Sequence, residues 1–266
     1  MILIPEISIE LPSNYDVRII DLLESLRIQT FQDYEIIVAT YSPALEDLVK
    51  NYDVRVVRTI DSGTLFRRIE AHRLARGERI FLLEASRFLN KDCLLEIDRC
   101  NNDMIVMEER DVNNNFIAKI QNIERSSAAD KLPRISPEQL IVEPRVFSKH
   151  ILDEVFRKAK LINEQILKKI YFGDLDIIFY EAYNMSQNIG LINRPLVYHY
   201  TDENILEFIR KYYNYGRSNK YLRFTPYKGK FKARSHLRPS FGFAETFAIY
   251  SLWLVKAMSF AVGQYM

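Results

Sequence analysis

Residues 76–89 read R-G-E-R-I-F-L-L-E-A-S-R-F-L, and this stretch decides the fold. A helical pattern precedes Gly77, a residue at which helices commonly end. The uninterrupted apolar run 80–83 is typical of a strand that is buried on both faces of a parallel sheet. The chain then becomes polar at Glu84-Ala85-Ser86. Because ligands of open α/β sheets bind outside the carboxyl ends of the strands, we predict the reaction centre at these three residues.

The same kind of strand recurs on the N-terminal side of this stretch. Apolar runs predict strands at 6–11, 34–39, 54–57 and 80–83, and helices at 17–28, 43–52 and 63–76 lie between them. Strands and helices that alternate at short intervals predict a parallel sheet with crossover helices. The fold class is therefore α/β.

The pattern changes after residue 89. The sequence predicts a helix at 91–99, then strands at 104–108 and 116–121 on either side of the turn-rich D-V-N-N-N. Residues 126–144 hold three prolines and are expected to form an extended loop. Helices at 149–170 and 177–186 and a strand at 191–200 complete this part of the chain.

Composition excludes some classes of protein. With 266 residues, 48% of them hydrophobic, the chain can build a normal globular core, and a net charge of +2 does not indicate a polyanion partner. Its two cysteines, Cys93 and Cys100, lie two helical turns apart, which is too far for a disulfide. We expect small core residues in a reducing compartment. Since the N-terminus lacks the features of a signal peptide, a cytoplasmic location is predicted.

The C-terminal region, 204–266, is predicted to be a separate helical extension. Residues 210–238 are rich in lysine and arginine and contain no acidic residue. The apolar segment 241–263 follows and is interrupted only by Glu245 and Lys256. This combination predicts a peripheral seat on an anionic membrane, at its cytoplasmic face. The alternative is a helix packed on the domain or on a second copy in a homodimer. No nucleic-acid partner is predicted, because the sheet architecture supplies no recognition motif for one.

Five motifs, taken in order, resemble those of a known family. They are L-L-E-S-L-R-I-Q-T-F-Q-D-Y-E-I-I-V (22–38), G-T-L-F-R-R-I-E-A-H-R-L-A-R-G-E (63–78), Y-F-G-D-L-D-I-I-F-Y-E-A (171–182), V-Y-H (197–199) and Y-Y-N-Y-G-R-S (212–218). Over about residues 5–220 the chain resembles glycosyltransferase family 2. The resemblance implies a GT-A fold over residues 1–203, a Rossmann-like, mostly parallel sheet flanked by helices. It also implies inverting transfer of a sugar from a nucleotide-diphosphate sugar to the hydroxyl of a glycan or lipid-linked acceptor.

The resemblance assigns roles to individual residues. The family holds a divalent cation, Mn²⁺ or Mg²⁺, at an Asp-x-Asp motif, and Glu84-Ala85-Ser86 stand at that position. Glu84 and Ser86, together with the strand-end His199, form the predicted metal side. The residues predicted to bind the donor are Pro12, Ser13, Thr40, Arg68, Glu84 and Ala85.

The acceptor side has its own candidates. Asp174 stands at the position of the family's catalytic base, which takes the proton of the acceptor hydroxyl. Asp176 is predicted to support it or to cap a helix. One departure is clear: the family's second strand ends in two aspartates, and Ala39 and Thr40 replace them here. Recognition of the donor is therefore expected to differ.

Each of these roles has an alternative. Glu84 can be a solvated carboxylate at a strand end, His199 a core histidine, and Arg68 an exposed helical arginine. The alternative to an enzyme is a catalytically silent relative that binds glycans or a partner transferase.

Overall fold

A computed structural model describes residues 4–129, 135–137, 143–230 and 242–266. Its strands are β1 (Ile7–Pro12), β2 (Tyr34–Thr40), β3 (Arg55–Arg58), β4 (Arg79–Leu82), β5 (Arg87–Leu89), β6 (Met104–Asp111), β7 (Val146–Ser148) and β8 (Ile189–His199). Its helices are α1 (Ile19–Arg27), α2 (Pro43–Val49), α3 (Thr64–His72), α4 (Cys93–Asp98), α5 (Phe116–Ala129), α6 (Lys149–Ala159), α7 (Glu164–Leu167), α8 (Asp174–Tyr183), α9 (Ile205–Leu222) and α10 (Phe243–Tyr265).

The strands form one eight-stranded sheet in the order β3-β2-β1-β4-β7-β6-β8-β5. Strands β3, β2, β1 and β4 are all parallel, and β6 is parallel to β8. Strands β7 and β5 run antiparallel to their neighbours. The sheet is thus mixed but mostly parallel, with helices on both faces, and the predicted α/β class is confirmed. The carboxyl ends of the first four strands lie together at one edge.

The apolar run after Gly77 is buried on both faces, as its composition predicts. Ile80 and Leu82 belong to the core under α3, α6 and α8, whereas Phe81 and Leu83 belong to the core under α1, α2 and α4. At position 77 a Cβ atom would lie 2.6 Å from the backbone nitrogen of Ser8. Glycine therefore lets the chain pass directly beside β1 on its way into β4.

The strand predicted at 116–121 is wrong, because these residues begin α5. Asn115 Oδ1 accepts a hydrogen bond from the backbone nitrogen of Ala118 at 2.8 Å, so the D-V-N-N-N segment caps a helix and does not turn a hairpin. Ile117 and Ile120, three residues apart, are buried against Phe208 of α9 and residues of α10. A short apolar run has no period long enough to separate helix from strand.

Other boundaries differ from the predictions. The helix predicted at 149–170 is two helices, α6 and α7, and the short strands β5 and β7 were not predicted. Of the loop predicted at 126–144, residues 126–129 belong to α5, and residues 130–134 and 138–142 lie outside the described residues. Both cysteines are free thiols.

Helices α9 and α10 form an antiparallel pair with close backbones. A Cβ atom at Gly216 would lie 2.0 Å from the Phe260 carbonyl oxygen, and one at Gly263 would lie 2.0 Å from that of Tyr213. Only glycine allows helices to approach so closely. Residues 231–241, which include the end of the basic segment, lie outside the described residues.

Candidate active site

The carboxyl end of β4 is where the tertiary structure gathers the predicted residues. Glu84 follows β4, and β5 begins three residues later at Arg87. The antiparallel pairing of β5 with β8 places Arg87 opposite His199. A hydrogen bond of 2.8 Å from the Leu82 nitrogen to the Arg145 carbonyl oxygen brings the segment before β7 to the same place.

Arg68 connects the two predicted sides of the site. Its side chain, on α3, is 0% exposed. Its Nε donates to Asp174 Oδ2 and its Nη2 donates to Glu84 Oε1, each at 2.7 Å. Arg68 is therefore not an exposed helical arginine: it is a buried bridge between the predicted base and the predicted metal position.

Two further arginines bind the carboxylate of Glu84. Arg145 Nη1 donates to its two oxygens at 3.1 and 3.3 Å, and Arg87 Nη1 donates to Oε2. Both arginines also pair with the buried Glu109, Arg145 through Nε at 2.8 Å and Arg87 through Nη2 at 3.3 Å. We call Arg68, Arg87 and Arg145 the arginine cluster.

His199 has a carboxylate partner of its own. Its Nδ1 lies 2.7 Å from Asp111 Oδ1, a contact that joins the ends of β8 and β6. The bond is to a side chain and not to backbone, and the imidazole is mostly buried. Ser86 is half-buried, and its carbonyl oxygen accepts a hydrogen bond from the Tyr200 nitrogen at 2.8 Å.

These contacts do not fit a divalent cation at Glu84. A carboxylate has about four acceptor positions, and in Glu84 each oxygen already accepts from two guanidinium nitrogens. A cation there would have to displace these donors while lying among three positive charges. Within the described ranges, no group of three or more His, Cys, Asp or Glu side chains is arranged to hold a metal. The metal role of Glu84, Ser86 and His199 therefore stays a prediction that the geometry does not favour.

The predicted donor-binding residues at the ends of β1 and β2 are brought together. Pro12 pairs with Ala39, and the Ser13 nitrogen donates to the Ala39 carbonyl oxygen at 3.0 Å. Thr40 is fully buried, and its Oγ1 accepts from the Ser42 nitrogen at 3.0 Å, so this hydroxyl stabilises the turn after β2. Ala85 is buried in the core beneath α1.

Asp174 and Asp176 lie in the first turn of α8, where a helix favours negative charge. Gly173 precedes them with φ of 81°, a left-handed conformation that suits glycine. The Asp174 side chain is 12% exposed, and Arg68 holds one of its oxygens. Asp176 is half-buried. This position suits a carboxylate that is fixed in orientation and still reachable at the edge of the sheet.

Sequence reasoning missed a second group of residues beside Arg68. Arg67 is 4% exposed, donates through Nη1 to Asn14 Oδ1 and lies over the Tyr41 ring, 6.0 Å from its centroid. Burial lowers the pKa of Arg67. Tyr171 donates its hydroxyl to Asp61 Oδ1 at 3.4 Å nearby. The sequence signal for this group is the R-R pair at 67–68, and only the structure shows that both arginines are buried.

No family model and no curated protein sequence matches this chain. Solved structures do. TarS of S. aureus aligns with a TM-score of 0.56 and 17% identity over 96% of this chain, and this chain spans 44% of the length of that TarS chain. TarS 1–349 in complex with UDP-GlcNAc aligns with a TM-score of 0.56 and 14% identity over 96% of this chain and 81% of the other. The mannosyltransferase PcManGT from Pyrobaculum calidifontis, in complex with GDP-Man and Mn²⁺, aligns with a TM-score of 0.55 and 12% identity over 99% of this chain and 74% of the other.

The likeness extends over nearly the whole chain, and the fold is that of the GT-A glycosyltransferases. The fold expected from the sequence motifs is confirmed.

Proposed function

We propose that this protein transfers a sugar from a nucleotide-diphosphate sugar to an acceptor hydroxyl, with inversion at the sugar carbon. One observation carries the proposal: the fully buried Arg68 holds both Asp174 and Glu84 at the carboxyl edge of the sheet. Both residues stand at positions that matter in the family that the chain resembles. The similar structures that contain UDP-GlcNAc or GDP-Man support a nucleotide sugar as the donor.

Residues around Arg67 are suited to the nucleoside part of the donor. Tyr41 and Tyr171 provide aromatic faces on which a base can stack. Asn14 and Asp61 provide polar groups near them, at the ends of β1 and β3. These side chains take the place of the two aspartates that the family carries at the end of β2.

Asp174 acts as the base in this proposal. It accepts the proton of the acceptor hydroxyl while that oxygen forms a bond to the anomeric carbon. The bond from this carbon to the donor phosphate oxygen breaks, and the nucleoside diphosphate leaves with the electron pair. The Arg68 bond to Oδ2 fixes the orientation of the carboxylate during the step.

The experiment is release of nucleoside diphosphate from a panel of nucleotide sugars, with and without added acceptors. We expect Asp174→Asn to lower turnover about 10²- to 10⁴-fold, the usual contribution of a general base. Binding of the nucleotide should be retained, because Asp174 serves the acceptor side. The matched control is Asp47→Asn, on the exposed side of α2. A wild-type protein that binds nucleotide but neither transfers nor hydrolyses the sugar would instead be the silent relative.

We also propose that α10 seats the protein on the cytoplasmic face of an anionic membrane, where a lipid-linked acceptor would be presented. Glu245–Tyr265 is long and apolar enough to cross a bilayer, with a mean hydropathy of 1.4, and 17% of this window is buried. Its exposed apolar residues recur every three or four positions and are Phe247, Tyr250, Leu254, Met258, Val262 and Tyr265.

The neighbouring helix favours a seat at the surface over a crossing. Helix α9 lies against α10 and carries Arg210, Arg217 and Lys220. Burying these charges in hydrocarbon would be costly, whereas anionic headgroups would attract them. Lys256 of α10 lies over the Tyr212 ring of α9, 4.9 Å from its centroid.

A further inference from the structure

We propose that guanidinium groups, and not a divalent cation on Glu84, neutralise the diphosphate of the donor. The groups are those of the arginine cluster together with Arg67. In the free protein, Glu84 is the internal counter-ion of Arg68, Arg87 and Arg145, and the diphosphate replaces it there. This inference rests on the proposed function, since it assigns the charges of the same site.

The location of the arginines supports this assignment. Arg67 and Arg68 come from α3, Arg87 from β5 and Arg145 from the segment before β7. Separate parts of the chain therefore bring guanidinium groups to the carboxyl ends of the parallel strands, Arg67 near Asn14 and Tyr41 and the other three at Glu84. This is the edge at which sheets of this class bind their ligands.

The charges of the described residues at this site leave one guanidinium group, that of Arg67, without a carboxylate partner. Glu84, Glu109 and Asp174 pair with the three arginines of the cluster. Arg67 forms no ion pair with any residue that the structure describes; its partners are Asn14 and the Tyr41 ring. A buried guanidinium group without a counter-ion is unfavourable, and a phosphate would supply one.

Two buried donors point to the same ligand. Arg68 Nη1 and Arg67 Nε have no acceptor among the described residues. Groups of this kind are normally satisfied, so each calls for an acceptor. Guanidinium groups match the oxygens of phosphate in geometry as well as in charge.

Glu84 is the member of the network that can move. Its side chain is 29% exposed, whereas those of Arg68, Arg87 and Arg145 are 0%, 8% and 7% exposed. Turning Glu84 outward would expose Nη groups of three arginines to an incoming diphosphate. When the bond from the sugar carbon to the phosphate oxygen breaks, these N–H groups would stabilise the negative charge left on the departing nucleoside diphosphate.

Titration calorimetry with UDP and GDP, in EDTA and then with Mn²⁺, tests the inference. We expect binding in EDTA, with the same Kd after Mn²⁺ is added. Binding that requires Mn²⁺ overturns the inference and leaves the proposed function standing. If neither nucleotide binds in either condition, the proposed function fails and the inference fails with it.

Substitution of Glu84 distinguishes neutralisation by arginines from neutralisation by a metal, because the two mechanisms predict opposite changes in nucleotide affinity. Glu84→Gln removes the competing negative charge, so we expect tighter binding of the nucleotide in EDTA. The titration is repeated with Mn²⁺, a condition in which Glu84→Gln would weaken binding if Glu84 held the metal. Tighter binding supports the inference, and weaker binding contradicts it.

Substitution of an arginine gives a further readout. Arg145→Gln should weaken binding in EDTA by about 10- to 100-fold, as expected for the loss of one charge-assisted contact. If Arg145→Gln fails to fold, Arg145→Lys replaces it as the test variant. Because lysine keeps the positive charge, Arg145→Lys should weaken nucleotide binding less than Arg145→Gln. The matched control is Arg76→Gln, since Arg76 also pairs with a glutamate, Glu35, but at the opposite end of the strands. Equal affinity in Arg145→Gln and the control would overturn the inference.

Discussion

At the scale of single residues, Arg68 connects Asp174, the predicted base, with Glu84, the predicted metal position. It is fully buried, and both of its partners are carboxylates. Lysine could not replace it, because an ammonium group lacks the planar fork that reaches Asp174 and Glu84 together. The conservative-looking change Arg68→Lys would thus be disruptive.

The first prediction concerns the stability that Arg68 provides. Arg68→Met leaves the mostly buried Asp174 without its cation, and we expect the free energy of unfolding to fall by about 3–5 kcal/mol. Urea denaturation followed by circular dichroism measures it. Arg157→Met is the control, because Arg157 pairs with Glu154 at the surface, where an ion pair contributes little. If both variants lose the same stability, the structural role of Arg68 is refuted.

At the scale of elements, a buried histidine joins β1, α3 and α6. His72 Nδ1 lies 2.7 Å from Glu10 Oε1, and its Nε2 lies 3.0 Å from Asp153 Oδ1. Burial acts to lower the pKa of His72, but the two carboxylates more than offset it, and the pKa is raised above its ordinary value. This contact packs α3, which carries Arg67 and Arg68, against the sheet.

The second prediction follows from the sign of that shift. The folded protein holds the His72 proton more tightly than the unfolded chain does. The stabilisation is therefore fully present below about pH 6.5 and is lost as the pH rises through the raised pKa. Urea denaturation at pH 6 and at pH 8.5 should show that His72→Gln costs more stability at the lower pH. His150→Gln, on the exposed side of α6, is the control. A cost that does not depend on pH would contradict the prediction.

At the scale of the whole molecule, the α/β part presents a candidate active site, and the pair of helices α9 and α10 presents an apolar surface. The two are connected through the chain itself. Ser218 of α9 accepts hydrogen bonds at Oγ from the nitrogens of Tyr171 and Phe172, directly before α8. If α10 binds a membrane, these hydrogen bonds would hold the start of α8, and with it Asp174, at a fixed distance from that membrane.

The third prediction concerns that surface. In a flotation assay at low salt, the protein should bind vesicles that contain anionic lipid and should bind neutral vesicles less, with the difference reduced by high salt. The double variant Leu254→Asn, Met258→Asn should bind less. Leu161→Asn, an exposed leucine distant in sequence from α10, is the control. If the protein binds neither anionic nor neutral vesicles and forms dimers in solution, a second copy covers α10 and the membrane proposal is wrong.

The predictability of this chain differs between its halves. The four parallel strands could be predicted although two of them are only four residues long, because they alternate at short intervals with helices of regular apolar spacing. The second half contains two strands of three residues, β5 and β7. It also contains the helix α5, whose first residues have the short apolar pattern of a strand. There, tertiary packing decides between conformations that local patterns leave open.

The sequence by itself determined the α/β fold and the edge of the sheet at which Glu84, Asp174 and His199 lie. Only the tertiary structure decided the partners of these side chains. Arg145 follows Glu84 by 61 residues, and Asp174 follows Arg68 by 106. Apolar periodicity is a local property that can be read directly from the sequence. An ion pair between residues 61 or 106 positions apart depends instead on strand order and register. For that reason the sequence identified a carboxylate at the position of a metal ligand, and the fold surrounded it with arginines.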